Sequence, residues 1–222
     1  MQEIIEFFQH IMNPSWILSQ PIAFWLLLFI VFAETGLFVG FFLPGDSLLF
    51  ITGMHLAKHP MRVMDGLEVG VAVVVLGVIL AGVIGNTVGY WFGRKTGPTL
   101  FKKKDTFFFK QKHLQAAKDF YEKKGAGMIV IARFLPIIRT FAPIVAGIVQ
   151  MDSKKFALYN ILGCIAWVVS MILGGYFLGM MFPWLGDHLE FIVIGIVVIT
   201  TVPVVLGYLK SRASTKKAET EV

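Results

Sequence analysis

Residues 156–181 read FALYNILGCIAWVVSMILGGYFLGMM and contain no charged side chain. An α-helix of about 20 apolar residues is long enough to cross a bilayer. Two further runs, 67–93 and 189–209, are almost as apolar, and each carries a single acid near its start, Glu68 and Glu190. The sequence therefore predicts three full transmembrane helices, over 67–93, 156–181 and 189–209.

The composition of the whole chain agrees with a protein folded in lipid. Of its 222 residues 56% are hydrophobic and 15% are charged, and its mean hydropathy is +0.74. Soluble domains have roughly 25% charged residues, so a soluble globular enzyme is disfavoured. The first twenty residues contain no Lys or Arg, which is wrong for the positive start of a cleaved signal peptide. We expect a retained segment at the membrane surface before residue 22.

Two other apolar stretches, 22–57 and 126–150, are interrupted by charges and prolines. Each half of such a stretch is too short to span a bilayer, and irregular backbone at membrane depth is tolerated where protein or water surrounds it. The predicted fold is therefore all-α and integral to the membrane, with two re-entrant helical hairpins besides the three full helices. The residues expected to break or shape the hairpins are Pro44, Gly45, Pro136, Pro143 and Gly147.

The basic residues predict the orientation of the chain. Ten of the twenty Lys and Arg lie in 94–124 and four more in 210–217. Lys and Arg are enriched on the cytoplasmic side of membrane proteins. We therefore expect a cytoplasmic loop with an amphipathic helix over 94–125 and a cytoplasmic tail over 210–222. The N-terminus is then external, unless 22–43 spans the membrane fully, in which case it is cytoplasmic.

A faint internal repeat divides the chain into 1–93 and 126–181. Phe42-Leu43-Pro44 recurs as Phe134-Leu135-Pro136, and a Gly-Tyr-aromatic motif at Gly89 recurs at Gly175. Because the predicted topology runs the two halves in opposite directions, this is an inverted repeat, an architecture typical of secondary transporters. Chance similarity between glycine-rich membrane segments is the alternative.

Four acidic or basic residues, histidine aside, lie within the two interrupted stretches: Glu34, Asp46, Arg133 and Arg139. Charges inside a membrane are costly and are usually functional or paired. One interpretation is two structural ion pairs that hold the hairpins together. The other is functional, because arginines bind phosphate through several planar hydrogen bonds and carboxylates in a medium of low dielectric take up protons more readily. The two interpretations are compatible.

Several sequence blocks resemble the signatures of the bacterial DedA membrane proteins, of the VTT-domain or SNARE-associated-like superfamily. The similar positions are Glu34-Thr35-Gly36, 42–49, 133–143, Ala146-Gly147, Met151, Phe156, Asn160, Gly163 and Trp167. The resemblance implies facing re-entrant hairpins and lipid translocation linked to the proton gradient, in the recycling of undecaprenyl phosphate or the movement of phospholipids. It also implies a bacterial cytoplasmic-membrane location and a functional set at Glu34, Asp46, Arg133 and Arg139.

We therefore expect a transporter and not an enzyme, with Arg133 and Arg139 binding the head-group phosphate and Glu34 and Asp46 exchanging protons. The rivals are a phosphatidylethanolamine scramblase or flippase, a proton-coupled antiporter of small cations, and a membrane phosphatase. The phosphatase is disfavoured because no membrane histidine accompanies the Arg-rich phosphate site. We expect no metal or cofactor. The basic loop with Phe107-Phe108-Phe109 suits an anionic leaflet and not nucleic acid. The expected partners are a polyprenyl phosphate or phospholipid, protons, and a second copy of the chain in a homodimer.

Overall fold

The computed structural model describes residues 13–37, 45–102, 125, 127–182, 184 and 195. In chain order its elements are α1 (Pro14–Ser19), α2 (Ala23–Gly36), α3 (Gly45–Leu56), β1 (Met61–Met64), β2 (Leu67–Val69), α4 (Val71–Lys102), α5 (Met128–Ala132), α6 (Pro136–Ile148) and α7 (Ser153–Met181). The described part of the chain is mostly helical, as the sequence predicts.

Helices α4 and α7 are long and apolar enough to cross a membrane, over Val71–Gly97 and Ser153–Met181. Only 28% and 33% of their most apolar stretches are buried inside the protein, so they are not core helices of a soluble domain. Their outward side chains are large and apolar, for example Leu76, Leu80, Ile84 and Val88 on one face of α4. This confirms two of the predicted membrane helices. The third, over 189–209, lies outside the described residues apart from Gly195.

The start of the first membrane helix differs from the prediction over 67–93. Residues 61–69 form a two-stranded antiparallel hairpin, in which Arg62 faces Glu68, and α4 begins only at Val71. An Asp65-Gly66 turn connects the strands, with Gly66 at φ +80°, and Asp-Gly is a preferred turn for short hairpins. The acid at Glu68 therefore belongs to a strand and not to the membrane helix.

The other end of α4 also differs, because the helix continues to Lys102 and includes the first residues of the predicted cytoplasmic loop. Lysines at the end of a membrane helix extend their stems toward the polar interface, so a helical continuation with basic residues is favourable. The rest of that loop, 103–124, and the tail from 210 lie outside the described residues.

Both interrupted stretches consist of two helices, α2 with α3 and α5 with α6. Pro136 is the first residue of α6, where its missing N–H costs no helical hydrogen bond. The prediction that Pro143 breaks the second stretch is wrong: Pro143 lies inside α6, where its fixed φ fits the helix and one backbone hydrogen bond is lost. Pro44 lies outside the described residues. That each helix pair returns to the same membrane face stays a prediction.

In each interrupted stretch the two helices pack against different membrane helices. The first helix of each stretch packs on the membrane helix of its own half, α2 on α4 and α5 on α7. The second helix of each packs on the membrane helix of the other half, α3 on α7 and α6 on α4. Each half therefore packs one of its helices against the membrane helix of the other half.

Glycines make these contacts between the two halves close. A Cβ on Gly53 of α3 would lie 2.8 Å from the backbone nitrogen of Tyr176 on α7. A Cβ on Gly147 of α6 would lie 2.7 Å from the backbone nitrogen of Arg94 on α4. Small residues let helix backbones approach within membranes, where packing takes the place of the hydrophobic driving force. Gly147 therefore acts in helix packing and does not break the helix.

Helices α4 and α7 run antiparallel. The thiol of Cys164 lies 3.4 Å from the carbonyl oxygen of Ile79, whereas Tyr90, further along α4, donates to the carbonyl oxygen of Met151 before α7 at 2.6 Å. Tyr90 also stacks on Phe156 with ring centroids 4.2 Å apart. The end of α4 and the start of α7 therefore lie at the same end of the molecule. This agrees with the prediction that both of these helix ends face the cytoplasm.

Candidate functional site

All four ionisable residues predicted from the sequence lie at helix ends next to the interruptions. Glu34 is in the last turn of α2, Asp46 in the first turn of α3, Arg133 directly after α5 and Arg139 in the first turn of α6. The fold brings them together in the interior, with Glu34, Arg133 and Arg139 exposing 2%, 3% and 7% of their side chains. Asp46 is slightly more open at 14%.

Arg139 binds both carboxylates. Its Nη2 pairs with Oε1 of Glu34 and its Nη1 pairs with Oδ1 of Asp46. The guanidinium presents its planar donors to two different helices of the first half, α2 and α3, from α6 of the second half. Two ion pairs therefore connect the two interrupted stretches, and one arginine forms both because its forked donors can reach two carboxylates. This ionic cluster, Glu34–Arg139–Asp46, has a net charge of −1 if both acids are ionised.

Helix dipoles make the pairing of Glu34 with Arg139 favourable. Asp46 lies at the N-terminus of α3, where a negative charge is favourable. Glu34 is near the C-terminus of α2 and Arg139 near the N-terminus of α6, so each has the unfavourable sign for its position. Their ion pair offsets both penalties at once.

Gly45 provides the space for the Glu34 carboxylate. A Cβ at Gly45 would lie 2.7 Å from Oε1 of Glu34, and closer still to its other atoms. A side chain there would displace the carboxylate from Arg139. The function of Gly45 is therefore to admit the ionic cluster at the start of α3.

Trp167 of α7 contacts both the cluster and the second arginine. Its indole Nε1 donates to Oδ1 of Asp46 at 2.8 Å, and the side chain is 1% exposed. The centre of its ring lies 5.0 Å from Cζ of Arg139 and 5.9 Å from Cζ of Arg133. Arginine is attracted to an aromatic ring within about 6 Å. The indole therefore stabilises an acid and two cations together.

Arg133 has a different environment from Arg139. Its Nη2 donates to the side-chain oxygen of Asn160 at 2.7 Å, and both ion pairs formed by the described residues of this site belong to Arg139. Its Nε and Nη1 are buried and have no oxygen or nitrogen hydrogen-bond partner within the described part of the chain, and the Cys164 thiol lies beside the guanidinium. Gly163 leaves room for the stem, because a Cβ there would lie 3.3 Å from Cδ of Arg133. Arg133 is thus a buried cation without a counter-charge among the described residues.

Two asparagines of this site are marked by their place in the sequence. Asn86 and Asn160 are amides within long apolar runs, and both are buried, with exposures of 3% and 0%. A polar side chain in the middle of a membrane helix is expected to have a buried partner. Asn160 and Trp167 belong to the family motifs without a predicted role, and Asn86 belongs to none of those motifs.

The arrangement can bind an anion and store a proton. Among the described residues, Arg133 supplies a positive charge without a counter-charge and two nitrogen donors without an oxygen or nitrogen partner, and the ionic cluster supplies a net negative charge nearby. Their charges sum to zero when both acids are ionised. An anion at Arg133 would make the site negative, and a proton on one carboxylate would restore neutrality.

The fold and this cluster define an integral membrane protein with a charged site buried between two membrane-spanning helices. The sequence matches the VTT domain family over residues 21–177. The chain therefore belongs to the VTT-domain family of DedA membrane proteins, as its motifs indicate.

Named relatives support this membership. The chain is 37% identical over 193 residues to "Protein DedA" of Escherichia coli K12, covering 87% of this chain and 85% of that protein. It is 39% identical over 196 residues to an uncharacterized membrane protein of Mycobacterium leprae, covering 86% and 83%. It is 31% identical over 172 residues to "Inner membrane protein YqjA" of Escherichia coli K12, covering 78% and 73%. No solved structure matches the chain.

Proposed function

We propose that this protein is a transporter, and not an enzyme, that moves the phosphate head group of a lipid across the bacterial cytoplasmic membrane and is coupled to the proton gradient. The first candidate substrate is undecaprenyl phosphate. The observation that carries the proposal is Arg133, a buried guanidinium with two unused nitrogen donors and no counter-charge among the described residues. A cation in that state is costly in a membrane, and binding an anion removes the cost.

A phosphate group suits the donors of Arg133. Guanidinium groups bind phosphate oxygens through charge-assisted hydrogen bonds, which are roughly twice as strong as neutral ones. Arg139 lies over the same indole ring, so a phosphate that approaches Arg133 also approaches Arg139. In the proposed cycle the phosphate competes with the carboxylates for Arg139.

Proton exchange follows from the same charges. In the ionic cluster Arg139 pairs with both Glu34 and Asp46. When a phosphate takes part of the arginine's donors, a carboxylate loses its partner in a medium of low dielectric and takes up a proton. The bound lipid and the proton then cross together, and their release restores the ionic cluster.

The architecture supports a path for a head group between two halves. The second helix of each interrupted stretch packs against the membrane helix of the other half. This reciprocal packing is expected of an inverted repeat with two facing re-entrant hairpins, and such repeats place a site near the middle of the membrane. The hydrocarbon tail stays in the bilayer, so only the phosphate needs polar contacts.

The proposed location is the cytoplasmic membrane of a bacterium, with the loop after α4 and the C-terminal tail in the cytoplasm. The name of the relative "Inner membrane protein YqjA" supports the location. The concentration of basic residues in 94–124 supports the orientation.

The rival substrates differ in what they need from the site. Phosphatidylethanolamine presents a phosphate diester to the same arginine, so it remains the second candidate. A small-cation antiporter needs free carboxylates, but Glu34 and Asp46 both engage Arg139. The geometry therefore favours an anionic head group.

Reconstitution into proteoliposomes tests the proposal. Head-group exposure is measured for undecaprenyl phosphate in one set of vesicles and for phosphatidylethanolamine in another, with and without an imposed pH gradient. We expect gradient-dependent translocation of undecaprenyl phosphate that Arg133→Gln abolishes. Arg62→Gln, which removes an exposed arginine from β1, is the matched control and should transport normally.

Two results would contradict the proposal. Translocation of neither lipid by folded protein would exclude lipid phosphate as the substrate. Equal transport with and without the pH gradient would exclude coupling to protons. Preference for phosphatidylethanolamine would replace the first candidate with the second.

A further inference from the structure

Two asparagines from opposite halves converge on Arg133. Asn160 of α7 accepts a hydrogen bond from Nη2 of Arg133 at 2.7 Å. The nitrogen of its amide donates to the carbonyl oxygen of Val83 at 3.1 Å and to the hydroxyl of Thr87 at 3.4 Å, both on α4. These bonds to α4 fix which end of the amide faces the arginine.

Asn86 of α4 approaches the same guanidinium nitrogen. Its amide is satisfied when the nitrogen donates to the carbonyl oxygen of Thr35 at 3.0 Å and the oxygen accepts from Nη2 of Arg133. The opposite orientation makes a 2.9 Å bond to Asn160 but turns the Asn86 oxygen toward acceptors only. We assign the first orientation because it satisfies both ends of a buried amide, and the Asn86 oxygen then lies 2.9 Å from the Asn160 oxygen, with both oxygens accepting from Nη2 of Arg133. Thr35 follows Glu34, so Asn86 connects Arg133 to the helix of the ionic cluster.

The two arginines therefore have partners of different charge. Arg139 is held by two carboxylates, and Arg133 by two amide oxygens. An amide oxygen accepts a hydrogen bond and orients the guanidinium but does not neutralise it. Carboxylates in the same positions would supply the counter-charge and leave nothing for an anion to offset.

We propose that Asn160 and Asn86 are positioning residues that hold Arg133 in place while preserving its uncompensated charge, and so make the site specific for an anionic head group. This inference rests on the proposed function, in which Arg133 binds the phosphate. The amides occupy Nη2 and leave Nε and Nη1 as the donors for the ligand.

The test compares a change of charge with a change of shape at residue 160. Asn160→Asp is nearly isosteric and adds a counter-charge, whereas Asn160→Ala removes the acceptor and leaves a cavity. Binding of farnesyl phosphate, and of inorganic phosphate in a second arm, is measured by titration calorimetry on the full chain in detergent. Asn13→Asp is the control, because it adds the same charge at an N-cap that accepts Asp equally well.

We expect Asn160→Asp to weaken binding of farnesyl phosphate by roughly 10- to 100-fold, the range for one hydrogen bond to a charged group. Asn160→Ala should weaken it less, and Asn13→Asp should not change it. In the transport assay the aspartate variant should raise the KM for lipid more than it lowers kcat. Its thermal stability should match or exceed that of the wild type, because the buried arginine gains a partner.

If Asn160 had only a structural role, Asn160→Ala would weaken phosphate binding more than Asn160→Asp. That order, or unchanged binding by Asn160→Asp, would overturn the inference. If Asn160→Asp does not fold, Asn86→Asp provides the same test from α4. Failure of the wild type to bind either phosphate would instead count against the proposed function. Binding of farnesyl phosphate but not of inorganic phosphate identifies a lipid as the source of the anion.

Discussion

Arg133 and Arg139 lie over the same indole ring, 5.9 and 5.0 Å from its centre, yet within the described part of the chain only Arg139 has carboxylate partners. Arg139 is thus neutralised within the ionic cluster, and Arg133 is a buried charge without a carboxylate partner among the described residues. Two residues of the same type, a few residues apart in sequence, are therefore expected to respond differently to the same substitution.

Replacing each arginine by glutamine should affect the stability of the protein differently. Arg139→Gln leaves Glu34 and Asp46 without a cation and should destabilise the protein by about 3–5 kcal/mol. Arg133→Gln removes a buried cation that has no counter-charge among the described residues, so it should destabilise the protein by less than Arg139→Gln. Unfolding in a denaturing detergent measures the difference, with Arg62→Gln as control. Equal destabilisation by both variants would contradict the different roles.

Lysine substitutions test the need for the guanidinium itself. Arg133→Lys and Arg139→Lys keep the charge but should lose most lipid transport, since an ammonium cannot reproduce the planar donor geometry of arginine. Initial rates of head-group translocation in proteoliposomes measure the loss. Near-normal rates in both variants would show that the positive charge alone suffices.

Neutral amides in place of the acids should uncouple transport from the pH gradient. Glu34→Gln and Asp46→Asn each remove one negative charge near the arginines, so the head group should bind equally or more tightly. The proton step is lost with the carboxylate, so the response to an imposed gradient should disappear. Vesicles with and without a gradient are compared, and Glu68→Gln in β2 is the control. A wild-type gradient response in the amide variants would make both acids structural.

The close helix contacts at Gly53 and Gly147 should be equally sensitive to added volume. Gly53→Val and Gly147→Val force apart α3 from α7 and α6 from α4, and overpacking of this kind costs about 1–3 kcal/mol. Gly70→Ala is the control, because no atom lies within 4 Å of a Cβ at that position. Thermal unfolding of the three variants checks the prediction. Loss of stability at only one of the two glycines would argue against equivalent halves.

Cysteine labelling tests the predicted topology in a Cys164→Ala background. Cysteines at 102–112 and at Lys216 should react only from the cytoplasm, and a cysteine at His188 only from outside, because of the distribution of basic residues. Cysteines at His10 and His59 should react from the same face if 22–57 is a re-entrant hairpin. Reaction of those two positions from opposite faces would mean that 22–43 crosses the membrane.

The fold class and the membership of the candidate site could be predicted from the sequence because both depend on local properties. An uncharged run such as 156–181 determines a membrane helix by its length alone, and a charge or proline within an apolar stretch determines an interruption. Glu34, Asp46, Arg133 and Arg139 stand out because ionisable residues are costly in lipid. The hairpin over 61–69 was missed because its turn and strands are short and adjoin a membrane helix.

The pairing of those charges was decided only by the tertiary structure. The sequence shows two acids and two arginines. It does not decide whether each arginine pairs with one acid or one arginine pairs with both. Which acid meets which arginine depends on how α2, α3 and α6 are placed around Trp167, and Coulomb interactions fall off over a few ångströms, so small differences in position select the partners. Asn86 and Asn160 take the place of carboxylates at Arg133 because antiparallel packing of α4 and α7 brings them to the same depth. The division into a neutralised arginine and an uncompensated one is therefore a property of the packing and cannot be found in the order of residues.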